Sequence, residues 1–172
     1  DTGAFDDDRY FDVFVEYAKA GPDDTLVRIT VVNCAKEAAP VWLLPTVWFR
    51  NTWSWGKTLE DTRTKPGMRR EGAHAVLLHE ESLGRMRFVL DPANGPCELA
   101  FTENETNTER LFGAPNATPF TKDAFHALVV RGERDAVNAA EEGTKAAAVY
   151  HAVLAPREAR TFRARLAPAD AA

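Results

Sequence analysis

The chain has 172 residues, a formal net charge of −5, 45% hydrophobic and 27% charged residues. That length suits one domain with a substantial core, and the near-average composition excludes a disordered body. The acidic balance argues against a broad phosphate-binding surface and so against nucleic acid as a partner; Arg69, Arg70, Arg85 and Arg87 read as solvated strand faces.

No apolar run approaches the roughly 20 residues that cross a bilayer. No membrane partner is therefore expected, and a cytoplasmic location is the expectation. The start at Asp1-Thr2-Gly3 without an initiator Met, and the Ala- and Pro-containing 168–172, suggest a module over 1–167 cut from a larger protein, with 168–172 as linker or tail. Cys34 and Cys97 are too few for a disulfide framework and lack zinc spacing, so they read as buried free thiols.

Residues 10–18 alternate: Phe11, Val13, Val15 and Tyr17 share one parity, the period of a half-buried strand, with Phe14 as the exception. Gly21-Pro22-Asp23-Asp24 supplies turn chemistry. In the β-branched run 26–32, Val27, Ile29 and Val31 face inward and Arg28 and Thr30 outward. A polar stretch through Pro40 leads to the apolar run 41–49, which resembles the second arm of a hairpin. Pro45 lacks an amide hydrogen, so that run is an edge strand or is broken by a bulge there. Residues 56–72, polar and charged around Pro66-Gly67, form a long loop in mobile or partner-contacting form.

Further strands are predicted at 73–79, 85–90, 98–102, 125–131, 146–154 and 161–166, most of them separated by Gly, Pro, Asn or Asp. The last two form the clearest hairpin, turning at Pro156-Arg157-Glu158-Ala159, with Phe162, Ala164 and Leu166 alternating against Arg163 and Arg165. Ala-rich 135–148 is the one helical rival, interrupted by Gly143 and limited to a turn or two. Short strands at this spacing indicate an all-β fold, an antiparallel β-sandwich with long loops and at most short helical turns.

Three segments stand out chemically. Residues 47–56 hold Trp48, Trp53 and Trp55 beside Arg50 and Asn51; indoles stack on sugar faces while guanidinium and amide groups bond hydroxyls. The structural alternative places Trp48 and Phe49 in the core and Trp53 and Trp55 over a sheet end. Residues 101–110 crowd Glu103, Asn104, Glu105 and Asn107 at a strand end. Glycoside hydrolysis needs two carboxyl groups about 5–9.5 Å apart, and Glu103 and Glu105 point the same way on a strand, but without a flanking pocket they read better as loop caps or interdomain groups. Asp123 and His126 could form an orienting pair, but a structural His is the base reading. No nucleophile elbow, phosphate loop or metal-ligand spacing is found, so no catalytic residue, metal or cofactor is expected.

Four blocks together carry a resemblance: Asp1-Thr2-Gly3-Ala4-Phe5-Asp6-Asp7-Asp8-Arg9-Tyr10-Phe11-Asp12-Val13, Leu44-Pro45-Thr46-Val47-Trp48-Phe49-Arg50-Asn51-Thr52-Trp53-Ser54-Trp55-Gly56, Phe101-Thr102-Glu103-Asn104-Glu105-Thr106-Asn107 and Lys122-Asp123-Ala124-Phe125-His126. With them the chain resembles the N-terminal region of large bacterial glucosidase-like proteins related to glycoside hydrolase family 63, the mannosyl-oligosaccharide glucosidase group. The resemblance implies an N-terminal super-β-sandwich whose partner is a C-terminal (α/α)6 barrel carrying the acid and base. In that setting Arg50, Asn51, Trp53, Trp55, Glu103, Asn104, Glu105, Asn107, Asp123 and His126 are candidate interdomain or sugar contacts. The alternative is a module that binds oligosaccharide by itself on a Trp platform.

Overall fold

The computed structural model describes residues 3, 5, 7, 9–54 and 64–171. Among them, eleven strands build two antiparallel sheets, so the chain is an all-β sandwich with a few short helical turns. They are β1 (Phe11–Gly21), β2 (Asp24–Asn33), β3 (Ala39–Leu43), β4 (Thr46–Trp48), β5 (Gly67–Glu71), β6 (Ala75–Glu80), β7 (Gly84–Leu90), β8 (Glu98–Thr102), β9 (Glu142–Gly143), β10 (Lys145–Leu154) and β11 (Ala159–Pro168). The larger sheet runs β1-β2-β11-β7-β6-β5-β9. The smaller is built on β10, with β8 on one edge and β3 and β4 in line along the other.

β3 and β4 keep one register on β10, Leu43 opposite Tyr150 and Thr46 opposite Ala147, and part only at Leu44 and Pro45. The break expected from the missing proline amide is there, and the Pro45 carbonyl still accepts from Ala148 N at 3.0 Å.

The core follows from strand parity. Ala146, Ala148, Tyr150, Ala152 and Leu154 of β10 meet Ile29, Val31, Val76, Leu78, Phe88, Leu90 and Phe162 of the larger sheet. Val31 and Leu154 are wholly buried, and each such side chain contributes roughly 1.5–3 kcal/mol. On the opposite face of β10, Ala147 and Val149 pack with Ala100 of β8 against Phe125 and Leu128. A third layer therefore covers part of the smaller sheet. The outer face of the larger sheet is mixed: ion pairs such as Arg28 with Glu16 and Arg165 with Asp24 stand beside exposed Phe14, Leu26 and Val89.

Several expectations change. Residues 125–131, predicted as a strand, are helical: α2 (Ala124–His126, with α1 at Thr108–Phe112) continues into a π-helical turn, Ala127–Arg131. Phe125 and Leu128, three residues apart, fall on one helical face and dock on Ala147 and Val149, so packing overrides the β propensity of Val129 and Val130. Part of the supposed loop 56–72 is β5, which pairs with β6 and β9; residues 55–63 lie outside the described residues. Cys34 is buried, but Cys97 is only half-buried.

Neither of two expected hairpins pairs. β2 and β3 sit in different sheets, and so do β10 and β11. Both connections cross between the sheets at the same corner, where Asn33 is wholly buried. Its amide nitrogen donates to Glu37 O (2.8 Å), Leu154 O (3.0 Å) and Ala155 O (3.1 Å), and its Oδ1 accepts from Ala35 N (3.0 Å). Its backbone exchanges bonds with Glu158 O (2.9 Å) and Arg157 N (3.1 Å). A polar side chain replaces strand pairing as the link between the crossings.

The half-buried strand expected at 10–18 forms as β1 but is solvent-exposed nearly throughout, with Val13 at 52% and Tyr17 at 73%. Among the described residues, the larger sheet extends past the smaller one, and of β1 only Phe11 packs against the core.

Asn33→Asp keeps the shape of the side chain but replaces its donor by an acceptor facing carbonyls. A loss of at least about 3 kcal/mol is expected in urea unfolding at neutral pH. Gly143→Ala is expected to cost about 1–3 kcal/mol in the same measurement, because a Cβ there would overlap the Thr102 carbonyl.

Candidate functional site

The ends of β4 and β8 and the start of β10 meet at one end of the smaller sheet. Phe49 N donates to Thr144 O (3.0 Å) and Thr144 N to Thr102 O (3.1 Å), fixing three chain segments side by side. Thr102 and Thr144 are buried, and their hydroxyls reach the loops: Thr102 Oγ1 to Thr121 O (2.9 Å) and Thr144 Oγ1 to Glu103 Oε2 (2.6 Å). Neither threonine stood out in the sequence, because a Thr at a strand end carries no chemical signature until its neighbours are known.

Most of the candidate residues gather here. Asn51 donates to Asn104 O and to Glu105 Oε2, both at 2.9 Å, and the Trp53 indole N–H donates to the other Glu105 oxygen. Asn104 donates to Phe49 O (2.9 Å), and its own amide N–H donates to Thr144 Oγ1 (2.8 Å). Lys65 pairs with Glu103 at 3.0 Å and stands 5.7 Å from the Trp53 ring centre. Arg50 is exposed. Trp55 lies outside the described residues.

A second knot adjoins the first. Asn107 caps α1 by accepting from Arg110 N (3.0 Å) and donates to both Asp123 oxygens at 3.2 Å. Thr121 Oγ1 (2.7 Å) and Arg110 Nη1 (3.0 Å) complete the Asp123 carboxylate. Burial pushes the Asp123 carboxyl up, but the hydrogen bonds from Thr121, Arg110 and Asn107 outweigh it and bring the pKa down to about 2. Such a group stays ionised and cannot serve as a general acid near neutrality. Asp123 and His126 meet through the backbone: His126 N donates to the Asp123 carbonyl, while the His126 side chain is exposed on α2.

Lys145 ties the knots to β10. Its ammonium donates to Lys122 O (2.7 Å) and lies 5.0 Å from the Phe125 ring centre, and burial, then the charge of Lys122, lowers its pKa. Lys122 N in turn donates to Glu105 O (2.8 Å).

The network spends its polar groups on itself, so it holds loop 103–123 in one shape rather than leaving donors and acceptors open to a ligand. The loop presents apolar groups instead: Leu111 is 59% and Phe112 73% exposed on α1. Trp48, expected in the core, faces outward at 58% because it has the opposite parity to Val47, whereas Phe49 packs on the core. Trp42, which stands apart from the tryptophan cluster in the sequence, is also exposed and stacks on His151 at 4.3 Å. Beside Phe49, an open cleft of about 370 Å³ is lined by Val47, Trp48, Leu78, Met86 and Leu166. Among the described residues, no three His, Cys, Asp or Glu side chains converge as metal ligands, and no helix is long and apolar enough to cross a membrane.

The Asp123 knot has a pH signature. Its native pKa of about 2 lies below the ordinary aspartate value of 3.8, so its stabilisation is complete above the unfolded value and is lost as pH falls through that interval. Asp123→Asn is expected to lower stability at pH 7 by roughly 2 kcal/mol and to flatten the acid limb of a melting-temperature profile.

No family model matches the chain. A Saccharomyces cerevisiae protein described as uncharacterized protein YMR196W is 35% identical over 169 aligned residues, which take in 84% of this chain and 15% of the yeast protein. The chain therefore spans about 15% of the length of the relative it matches.

Proposed function

We propose that the chain is the non-catalytic N-terminal sandwich domain of a glycoside hydrolase of the α-glucosidase kind, related to family 63. In this reading it packs against a helical (α/α)6 barrel that carries the acid and base, and helps to shape the sugar site of that barrel. The reading rests on the four sequence blocks, and one observation carries it: residues of three of them, Asn51 and Trp53, Asn104, Glu105 and Asn107, and Lys122 and Asp123, are joined by hydrogen bonds into one loop cluster, on which Leu111 and Phe112 stand exposed. Loops held by their own hydrogen bonds, with large apolar side chains left outside, suit docking against another domain. The yeast relative is far longer than this chain, which supports a module within a larger polypeptide. Both candidate carboxylates, Glu103 and Glu105, are engaged by Thr144, Lys65, Asn51 and Trp53, which supports a structural role over a catalytic pair.

Exposed Trp42 and Trp48 favour a second reading, independent binding of oligosaccharide on indole faces. It requires tryptophan fluorescence of the chain to change on titration with α-linked glucose oligosaccharides; the docking reading expects none at millimolar sugar.

The domain reading is tested by changing Leu111 and Phe112 together to Asp. In the 172-residue chain this is expected to alter stability by no more than about 0.5 kcal/mol, since both side chains are exposed. In the full-length polypeptide it is expected to abolish soluble yield or α-glucoside hydrolysis. Full hydrolysis by that variant, or by the barrel without residues 1–172, would overturn the reading.

A further inference from the structure

We infer that β1 is a self-pairing edge, through which two copies of this chain join their larger sheets across a two-fold axis at Val15. The inference does not depend on the proposed function.

β1 is an eleven-residue strand with β2 on one side, and no described strand pairs with its other edge. Proteins commonly guard such an edge with proline, a free lysine or unpaired charge. Here these guards are few. β1 has no proline, and its single irregularity lies at its far end, between Lys19 and Gly21. Its three charges are engaged within the chain: Asp12 accepts from the Cys34 thiol (3.3 Å), Glu16 is held by two 2.7 Å bonds from Arg28, and Lys19 folds back onto Pro22 O.

The hydrogen-bond parity is set by the neighbouring ladder. Cys34 N donates to Tyr10 O, and Asn33 turns its backbone bonds the other way, toward Arg157 and Glu158. Antiparallel bonding alternates along a strand, so even-numbered β1 residues bond to β2. The N–H and C=O groups of Phe11, Val13, Val15, Tyr17 and Lys19 therefore point to the open edge.

A two-fold axis normal to the sheet opposes residues of equal parity, which leaves few registers. Centring on Phe14 sets Asp12 against Glu16, and centring on Glu16 sets that residue against itself; like charges directly opposed destabilise. Centring on Val15 opposes Val13 to Tyr17, Phe11 to Lys19, Phe14 to Glu16 and Asp12 to Ala18, with no like charges facing. It uses every open group from 11 to 19. The apolar side chains concerned are already exposed, Val15 at 47% and Phe14 at 55%. Pairing also closes: the opposite end of the larger sheet is β9, two residues long, so the contact yields a dimer rather than a growing ribbon.

The test is sedimentation equilibrium of the 172-residue chain from micromolar to millimolar concentration, with cross-linking. The mass is expected to rise from 19.0 kDa toward twice that value. Val15→Lys, which places two ammonium groups at the axis, is expected to stay monomeric with an unchanged melting curve. Under mild oxidation Val15→Cys is expected to form a disulfide-linked dimer, because opposed Cα atoms in a bonded pair lie about 5.5 Å apart. Val13→Cys, equally exposed but opposite Tyr17, and the native chain are expected not to. A native chain that remains at 19.0 kDa, dimerisation that survives Val15→Lys, or equal cross-linking at 13 and 15 would each overturn the inference. So would a monomer whose β1 amides become protected from exchange only within a longer polypeptide, since the edge is then filled by another segment; the domain reading would stand.

Discussion

Two connections between the sheets meet at Asn33, and the sandwich depends on that corner. Both crossings bring carbonyls into the interior where strand pairing has stopped, and a buried carbonyl without a donor is costly. One amide side chain donates to Glu37, Leu154 and Ala155 and accepts from Ala35, so chain segments distant in sequence are satisfied at one point. Its backbone does the same for the turn at Arg157 and Glu158. Hydrophobic burial brings the sheets together, while Asn33 sets where the chain passes from one to the other.

β10 carries that arrangement to the opposite end of the molecule. It has an apolar residue on both faces over much of its length, one face toward the larger sheet and the other beneath α2 and the π-helical turn. Its C-terminal end reaches the Asn33 corner, and Thr144 and Lys145 at its start anchor the loops of the candidate site. The order of loop 103–123 is thereby coupled to the core. Buried threonine hydroxyls, the Asp123 carboxylate and the Glu105 bonds to Asn51 and Trp53 form one connected network, in which polar side chains fix shape rather than offer chemistry.

Much of the β-structure was legible from alternation alone. Val27, Ile29 and Val31 face inward, Phe162 is buried, and Pro45 interrupts its strand where the missing amide requires it. Partnership was not legible. The turn signal at 156–159 reads like a hairpin whether the next strand pairs beside the last or crosses to another sheet. Residues 125–131 read as a strand because Leu128, Val129 and Val130 suit one, and only the surface offered by Ala147 and Val149 shows why they are helical. In the site, grouping was legible because unusual polar and aromatic residues cluster in sequence; that the groups satisfy one another was not, since the bonds span from Asn51 to Glu105 and from Glu103 to Thr144.

By itself, the sequence determined the fold class, the faces of most strands and the neighbourhood in which the distinctive side chains lie, because side-chain periodicity and turn chemistry act over a few residues. The tertiary structure decided which strands share a sheet, that the polar cluster is closed on itself, that Trp48 faces outward and that most of β1 is uncovered among the described residues. Those outcomes depend on which surfaces meet across the chain, and two sheets of unequal width leave exposed an alternating strand that local pattern marks as half-buried.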